Sequence, residues 1–215
     1  MRIPPLKAIA AALFTCCAAT AGAAPITFDG LAGSDMANQD FQYTGAFSGF
    51  NGGGVATVQD YTFTAADTMY FIGPGYTGHY QDAGNPYNGT DYLMGTAFTL
   101  RSASSAPFSL NGLDLGVWSD FSSASLTLTG TYAGGGTFSS TLDLSSMNSL
   151  TFDDGDFTHF APSQFSNLAS LQFSSNAMFT LDNLDVGPSA VPEPATLALM
   201  GLGLAGIAAA RRRRK

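Results

Sequence analysis

The 215-residue chain is poor in positive charge, cysteine and histidine, and each shortage closes off a class of function. It has eight Lys and Arg against 16 Asp and Glu. Arg2 and Lys7 stand near the start, and Arg211, Arg212, Arg213, Arg214 and Lys215 close the chain, which leaves Arg101 as the one base between residues 24 and 190. The same stretch holds 15 Asp and no Glu, a net charge of −14. Phosphate binding rests on Lys and Arg, so nucleic acid is excluded as a partner of this body. Both cysteines, Cys16 and Cys17, precede it. The body therefore has no disulfide, zinc thiolate or cysteine nucleophile to work with. The two histidines, His79 and His159, are far apart in sequence and have no Ser/Asp or second His at a catalytic or metal-site spacing. They read as loop or packing residues. G-x-S-x-G and H-E-x-x-H are both missing, and without Glu a glycosidase would need two Asp as its carboxylate pair.

Oily runs are confined to the two ends. After Arg2 and Lys7, an apolar stretch from Ala8 to Ala19 leads to Ala21-Gly22-Ala23. A positive start, a short apolar segment and small residues before a cut site form the pattern of a secretory signal peptide, residues 1–23. The run is too short for a spanning helix of about 20 residues.

Residues 24–187 read as one domain, long enough to bury a real core. Apolar and polar residues alternate with period 2, and no helical stripe interrupts them. Strand candidates are 26–31, 41–50, 55–64, 68–73, 92–102, 108–118, 124–133, 136–144, 149–152, 168–175 and 178–186, separated by Gly, Asn, Asp, Ser and Pro. "SLTLTGTYAGGGTFSSTLDL" reads as a hairpin around Gly134-Gly135-Gly136, with Leu126, Leu128 and Tyr132 facing inward. The long segment from Ile72 to Tyr92, with Tyr76, His79, Tyr80 and Tyr87, reads as a loop of functional length. The expected fold is all-β, an antiparallel β-sandwich.

Carboxylates are the main chemical resource. Hard cations take oxygen ligands from Asp, Asn and carbonyls, so the composition admits a structural Ca²⁺ site but demands no other cofactor. Asp29 near the first strand, with Asp182 and Asp185 on the last, are its candidate ligands, because first and last strands often pair in sandwiches. "DDGD" at 153–156 is a second acidic turn. In a regular strand Asn183 and Asp185 share one face and Asp182 takes the other, though Leu181 then falls on the face of Asn183. Exposed aromatics stack on sugars, so the tyrosines around the long loop suggest a glycan surface, while Trp118 reads as core.

The end of the chain is a separate module. Pro192 and Pro194 interrupt any helix from the body within a linker, residues 188–194. Residues 195–210 carry no charge and would form a membrane helix of about 24 Å, at 1.5 Å per residue. The basic residues 211–215 then act as stop-transfer charges. "GLGLAG" (201–206) mimics a dinucleotide fingerprint, but no strand precedes it and the chain ends nine residues on.

The order Pro192-Glu193-Pro194, weakly apolar helix and terminal Arg cluster resembles the PEP-CTERM sorting signal of Gram-negative bacteria. That resemblance implies recognition by an exosortase, a membrane cysteine protease-transpeptidase that cuts near Pro-Glu-Pro. It implies membrane attachment through the C-terminal helix before processing, then delivery to the cell surface or outside, often beside exopolysaccharide. The sorting residues are then Pro192, Glu193, Pro194, Arg211, Arg212, Arg213 and Arg214. The body, opening on "ITFDGL" and closing on "FTLDNLDV", is similar to the jelly-roll-like modules found upstream of such signals. The expected function is that of an exported, non-enzymatic surface or matrix protein that binds carbohydrate. The rivals are a secreted hydrolase using paired Asp carboxylates and a permanently anchored surface protein.

Overall fold

The alternating pattern folds into strands over most of the described residues. A computed structural model describes residues 24–33, 41–43, 47–73, 89–117, 123–145 and 157–188. The signal-peptide segment, most of the long loop, Trp118, the 149–152 strand candidate, "DDGD" and the sorting tail lie outside the described residues. Among the described residues the chain is all-β, with strands β1 Phe41–Tyr43, β2 Phe47–Phe50, β3 Gly54–Val58, β4 Tyr61–Ala65, β5 Met69–Ile72 and β6 Tyr92–Ser102. These are followed by β7 Phe108–Val117, β8 Ser125–Tyr132, β9 Thr137–Asp143, β10 Thr158–Phe160 and β11 Leu168–Pro188. They join in one sheet that forks at two long strands.

The fork has a simple cause. A strand edge can hydrogen-bond one partner at a time, so a long strand serves two partners in succession. Along one edge of β6, Tyr92 to Gly95 pairs with β5 and Phe98 to Ser102 pairs with β4. Its other edge pairs with β11. On β11, the stretch from Leu168 to Ser175 pairs with β8, and from Phe179 to Pro188 its partners run back along β7 from Val117 to Phe108. Leu168 adds a lone parallel bridge to Phe108. One branch is therefore β3-β4-β6-β11-β8-β9, and the other is β1-β2-β5-β6-β11-β7-β10.

The bend sits in β11 between Ser174 and Phe179, where four residues face the single Thr96 of β6, three in excess, and the register shifts. Extra residues on one strand bend it and increase its twist. In an unbroken strand Phe173 and Phe179 would stand about 20 Å apart, at 3.3–3.4 Å per residue. Instead their ring centroids are 6.2 Å apart, and both stack on Phe98, at 4.6 Å and 5.5 Å. Asn176 within the bulge accepts a hydrogen bond from the Ser125 N–H at 2.8 Å and donates to the Ser123 carbonyl at 2.9 Å, which fixes the start of β8 against it.

The inner faces of the two branches share one core. Phe28 packs edge-on against Phe63 of β4 and tilted against Phe71 of β5, at 5.6 and 5.9 Å. Tyr61 of β4 meets Phe108 of β7 at 5.7 Å and 80°. Leu126 and Leu128 are fully buried and Tyr132 is half-buried, as the hairpin pattern requires, and Gly135 and Gly136 turn the chain at φ of +90° and +84°. The outward residues of that hairpin pair hydroxyl to hydroxyl, Thr127 with Thr141 at 3.0 Å and Thr129 with Ser139 at 2.8 Å.

Four boundaries differ from the sequence pattern. The 41–50 stretch is two strands, β1 and β2, paired antiparallel. The 55–64 stretch is two strands, because Gln59 adopts φ +51° and turns the chain. The candidates 168–175 and 178–186 are one strand continued through the bulge. The 26–31 segment contributes a single bridge, Ile26 to Leu184, before a turn at Asp29-Gly30.

Candidate functional site on the outer face of the second branch

On β5, Met69 and Phe71 enter the main core while Tyr70 and Ile72 face outward. Strand alternation then puts Tyr92 and Met94 of β6 on the same outer face, where they form a small second apolar cluster with Ile72. Tyr70, Phe157 and Met178 pack against it. Tyr92 meets Phe157 edge-on at 5.6 Å, and the Tyr70 hydroxyl donates to Asn51 Oδ1 at 2.5 Å. The described residues stop beside this face at Gly73 and resume at Gly89.

Beside that cluster runs a row of polar side chains across three strands. The β10–β7 register puts His159 opposite Asp114, and Asp182 of β11 is aligned with Asp114 on its other side. His159 Nδ1 lies 2.6 Å from Asp114 Oδ1, and Asn183 Nδ2 donates to Asp114 Oδ2 at 2.9 Å. Asp182 is buried; its Oδ2 accepts from the Thr90 hydroxyl at 3.0 Å and its Oδ1 from the Asn183 N–H at 2.7 Å. Asp185 accepts from Asn111 Nδ2 at 3.2 Å.

Asn183 explains how Asp182 and Asn183 come to share a face. Its φ of +46° inserts a bulge, and the β11–β7 register jumps between Asp182 and Asp185. Asn tolerates the left-handed region better than most residues do. Regular alternation would send Asp182 and Asn183 to opposite faces. The bulge turns both outward and lets Leu181 and Leu184 both enter the core, which also removes the conflict over Leu181.

An ionised carboxylate only accepts, so the Asp114 contact puts the proton of the neutral His159 ring on Nδ1. Nε2 is then left over Gly112, where a Cβ would come within 3.1 Å of it and within 2.8 Å of Cε1. His159 has 63% of its side chain exposed and Asp114 has 22%. The pair therefore presents an oriented ring nitrogen to solvent, an acceptor when neutral and a donor when protonated.

The candidate cation ligands do not gather. Asp29 is exposed on its turn, Asp182 is buried with Thr90 and Asn183, and Asp185 faces Asn111. Ile26 does bridge Leu184, with hydrogen bonds of 2.8 and 3.0 Å, so the first segment meets the last strand as expected. Among the described residues no three His, Cys, Asp or Glu side chains are grouped to hold a metal ion. No helix among the described residues is long and apolar enough to cross a membrane; the candidate at 195–210 and its flanking Pro192, Glu193, Pro194 and Arg211 to Arg214 lie outside them.

Local spacing does not reveal the role of His159, because its partner Asp114 is 45 positions away and Asn183, which holds the other oxygen of Asp114, is 69 positions from Asp114. The available signal was Asp114 itself, a carboxylate inside the apolar alternation "LNGLDLGV". Comparison with protein families finds the PEP-CTERM protein-sorting motif at residues 190–214, so the chain carries that motif at its C-terminal end. No curated protein matches the chain.

Proposed function

We propose that this protein is exported, held briefly at the inner membrane by its C-terminal helix, and passed by an exosortase to the cell surface or the extracellular matrix. The sorting motif at residues 190–214 carries this reading. Pro192, Glu193 and Pro194 serve as the recognition site, residues 195–210 as a temporary anchor, and Arg211 to Arg214 as the charges that halt transfer. The signal-peptide pattern of residues 1–23 supplies the route across the membrane.

The body fits a non-enzymatic, jelly-roll-like sandwich. Support comes from the forked sheet and from inner-face contacts between the branches, such as Tyr61 with Phe108. Its work outside the cell is binding, with exopolysaccharide as the ligand class. The acidic body repels polyanions, which favours neutral saccharides over charged ones.

Replacing Pro192, Glu193 and Pro194 together with Ala, in a host that contains an exosortase, tests the sorting step. The native chain should appear in the surface or medium fraction while the variant stays with the inner membrane. Equal release of both would overturn the reading.

A further inference from the structure

The opposite end of the body from the Asp114 row holds a cleft of about 610 Å³ between two turns, beside the point where β11 ends at Pro188. Ligand sites in proteins commonly fall between about 300 and 1,000 Å³, with an apolar floor and a few convergent polar groups. Here Ala106, Pro107 and Pro188 supply exposed apolar surface above the buried Phe108 and Val186, and Gln59, Asp60 and Tyr61 supply an amide, a carboxylate and a phenol.

The walls are held in place before any ligand arrives. The Asp60 carbonyl accepts the Ala103 N–H at 2.8 Å, which ties the β3–β4 turn to the turn after β6. The Ser105 N–H closes that second turn on the Ser102 carbonyl at 3.0 Å, and the Ser102 and Ser104 hydroxyls pair at 2.9 Å. Both turns pass through the left-handed region at non-glycine residues, Gln59 at φ +51° and Ser105 at +61°. Such positions cost free energy, persist only where the surroundings enforce them, and cluster at functional sites. The Tyr61 ring is fixed edge-to-face on Phe108. Burial first, and the Asp60 charge second, push its phenol above the ordinary range, so it stays a neutral hydroxyl.

We infer that this cleft binds a neutral saccharide, with Tyr61 as the stacking ring and Asp60 and Gln59 as hydrogen-bonding partners of vicinal sugar hydroxyls. Among the described residues the cleft lining contains one carboxylate and no cation, a lining suited to a neutral ligand rather than an anionic one. A ring face beside a carboxylate and an amide matches the alternation of C–H faces and hydroxyl edges on a sugar. Two serine hydroxyls and an exposed backbone turn continue the polar rim. This assignment rests on the carbohydrate-binding reading above and gives it an address.

The test uses the purified full chain and a panel of neutral hexose and N-acetylhexosamine tetrasaccharides, read by titration calorimetry. At least one sugar should bind the native protein. Asp60→Asn and Tyr61→Ala should each weaken it tenfold or more, while Thr141→Ala, on the distant hairpin face, leaves it unchanged. Asp60→Asn keeps the decision open should Tyr61→Ala fail to fold. Undiminished binding in Asp60→Asn overturns the cleft and leaves the carbohydrate reading standing. Silence of the native protein across the panel overturns both.

Discussion

Thr180 on β11 is fully buried, and its hydroxyl has no hydrogen-bond partner among the described residues. A polar group left in that state costs about 1–3 kcal/mol relative to a satisfied one. Valine keeps the branched shape, suits a strand at least as well, and replaces the hydroxyl with a methyl. Thr180→Val should therefore stabilise the protein by about 1–2 kcal/mol, taking the lower part of that range because the site can relax. In urea unfolding, a slope of about 2 kcal/mol per molar, the middle of the usual range, would turn this into a midpoint raised by roughly 0.5–1 M with the slope unchanged. Thr180→Ser is the control: it keeps the orphan hydroxyl, drops a methyl, and should lose about 1 kcal/mol. Thr96, opposite the bulge, has the same unpartnered hydroxyl, and Thr96→Val should shift stability in the same direction. A midpoint for Thr180→Val below that of the native protein would refute the reasoning. It would mean that the hydroxyl is bonded in solution, for example to a buried water.

Other perturbations test other parts of the account. Phe98→Ala removes the ring on which Phe173 and Phe179 both stack and should cost about 3–5 kcal/mol by chemical denaturation; a loss under about 1 kcal/mol would show that the bulge does not depend on the stack. Gly112→Ala should displace the exposed His159 ring without unfolding the chain, read as changed imidazole chemical shifts; an unmoved ring would contradict the tight approach over Gly112. The Asp143 carboxyl is held below its ordinary value, first by the Ser145 hydroxyl and then by the Ser145 N–H. A depressed carboxyl favours the fold above its unfolded value and loses that contribution as pH falls through the folded one. Ser145→Ala should move the Asp143 titration partway back up in carbon-detected NMR, whereas an unchanged midpoint would remove the hydroxyl as the main cause.

Much of the body could be read from side-chain alternation alone. The limits of β6 coincide with the predicted 92–102 stretch, and the β8–β9 hairpin forms around its three glycines with Leu126 and Leu128 inside. What escaped prediction depends on backbone choices that local composition marks poorly. Gln59 makes a turn without the Asn-Gly or Asp-Gly pair that announces one. The β11 bulge looks in sequence like a break between two strands, since "SSNA" resembles a loop. Asn183 reverses the expected side of its own side chain through one left-handed residue. The short β10 earns its place only by pairing with β7, a long-range contact that three residues cannot advertise. The His159–Asp114–Asn183 row was invisible for the same reason. The sorting motif was legible throughout, because its information is linear: a tripeptide, an uncharged run and a block of arginines in fixed order.

The intact mass of the protein recovered from the surface or medium fraction tests the central claim most directly. The expected mature chain begins after the signal peptide, near residue 24, and has lost Arg211 to Lys215 through a cut near Pro192-Glu193-Pro194. A mature exported form that retains Arg211, Arg212, Arg213, Arg214 and Lys215 would contradict that claim.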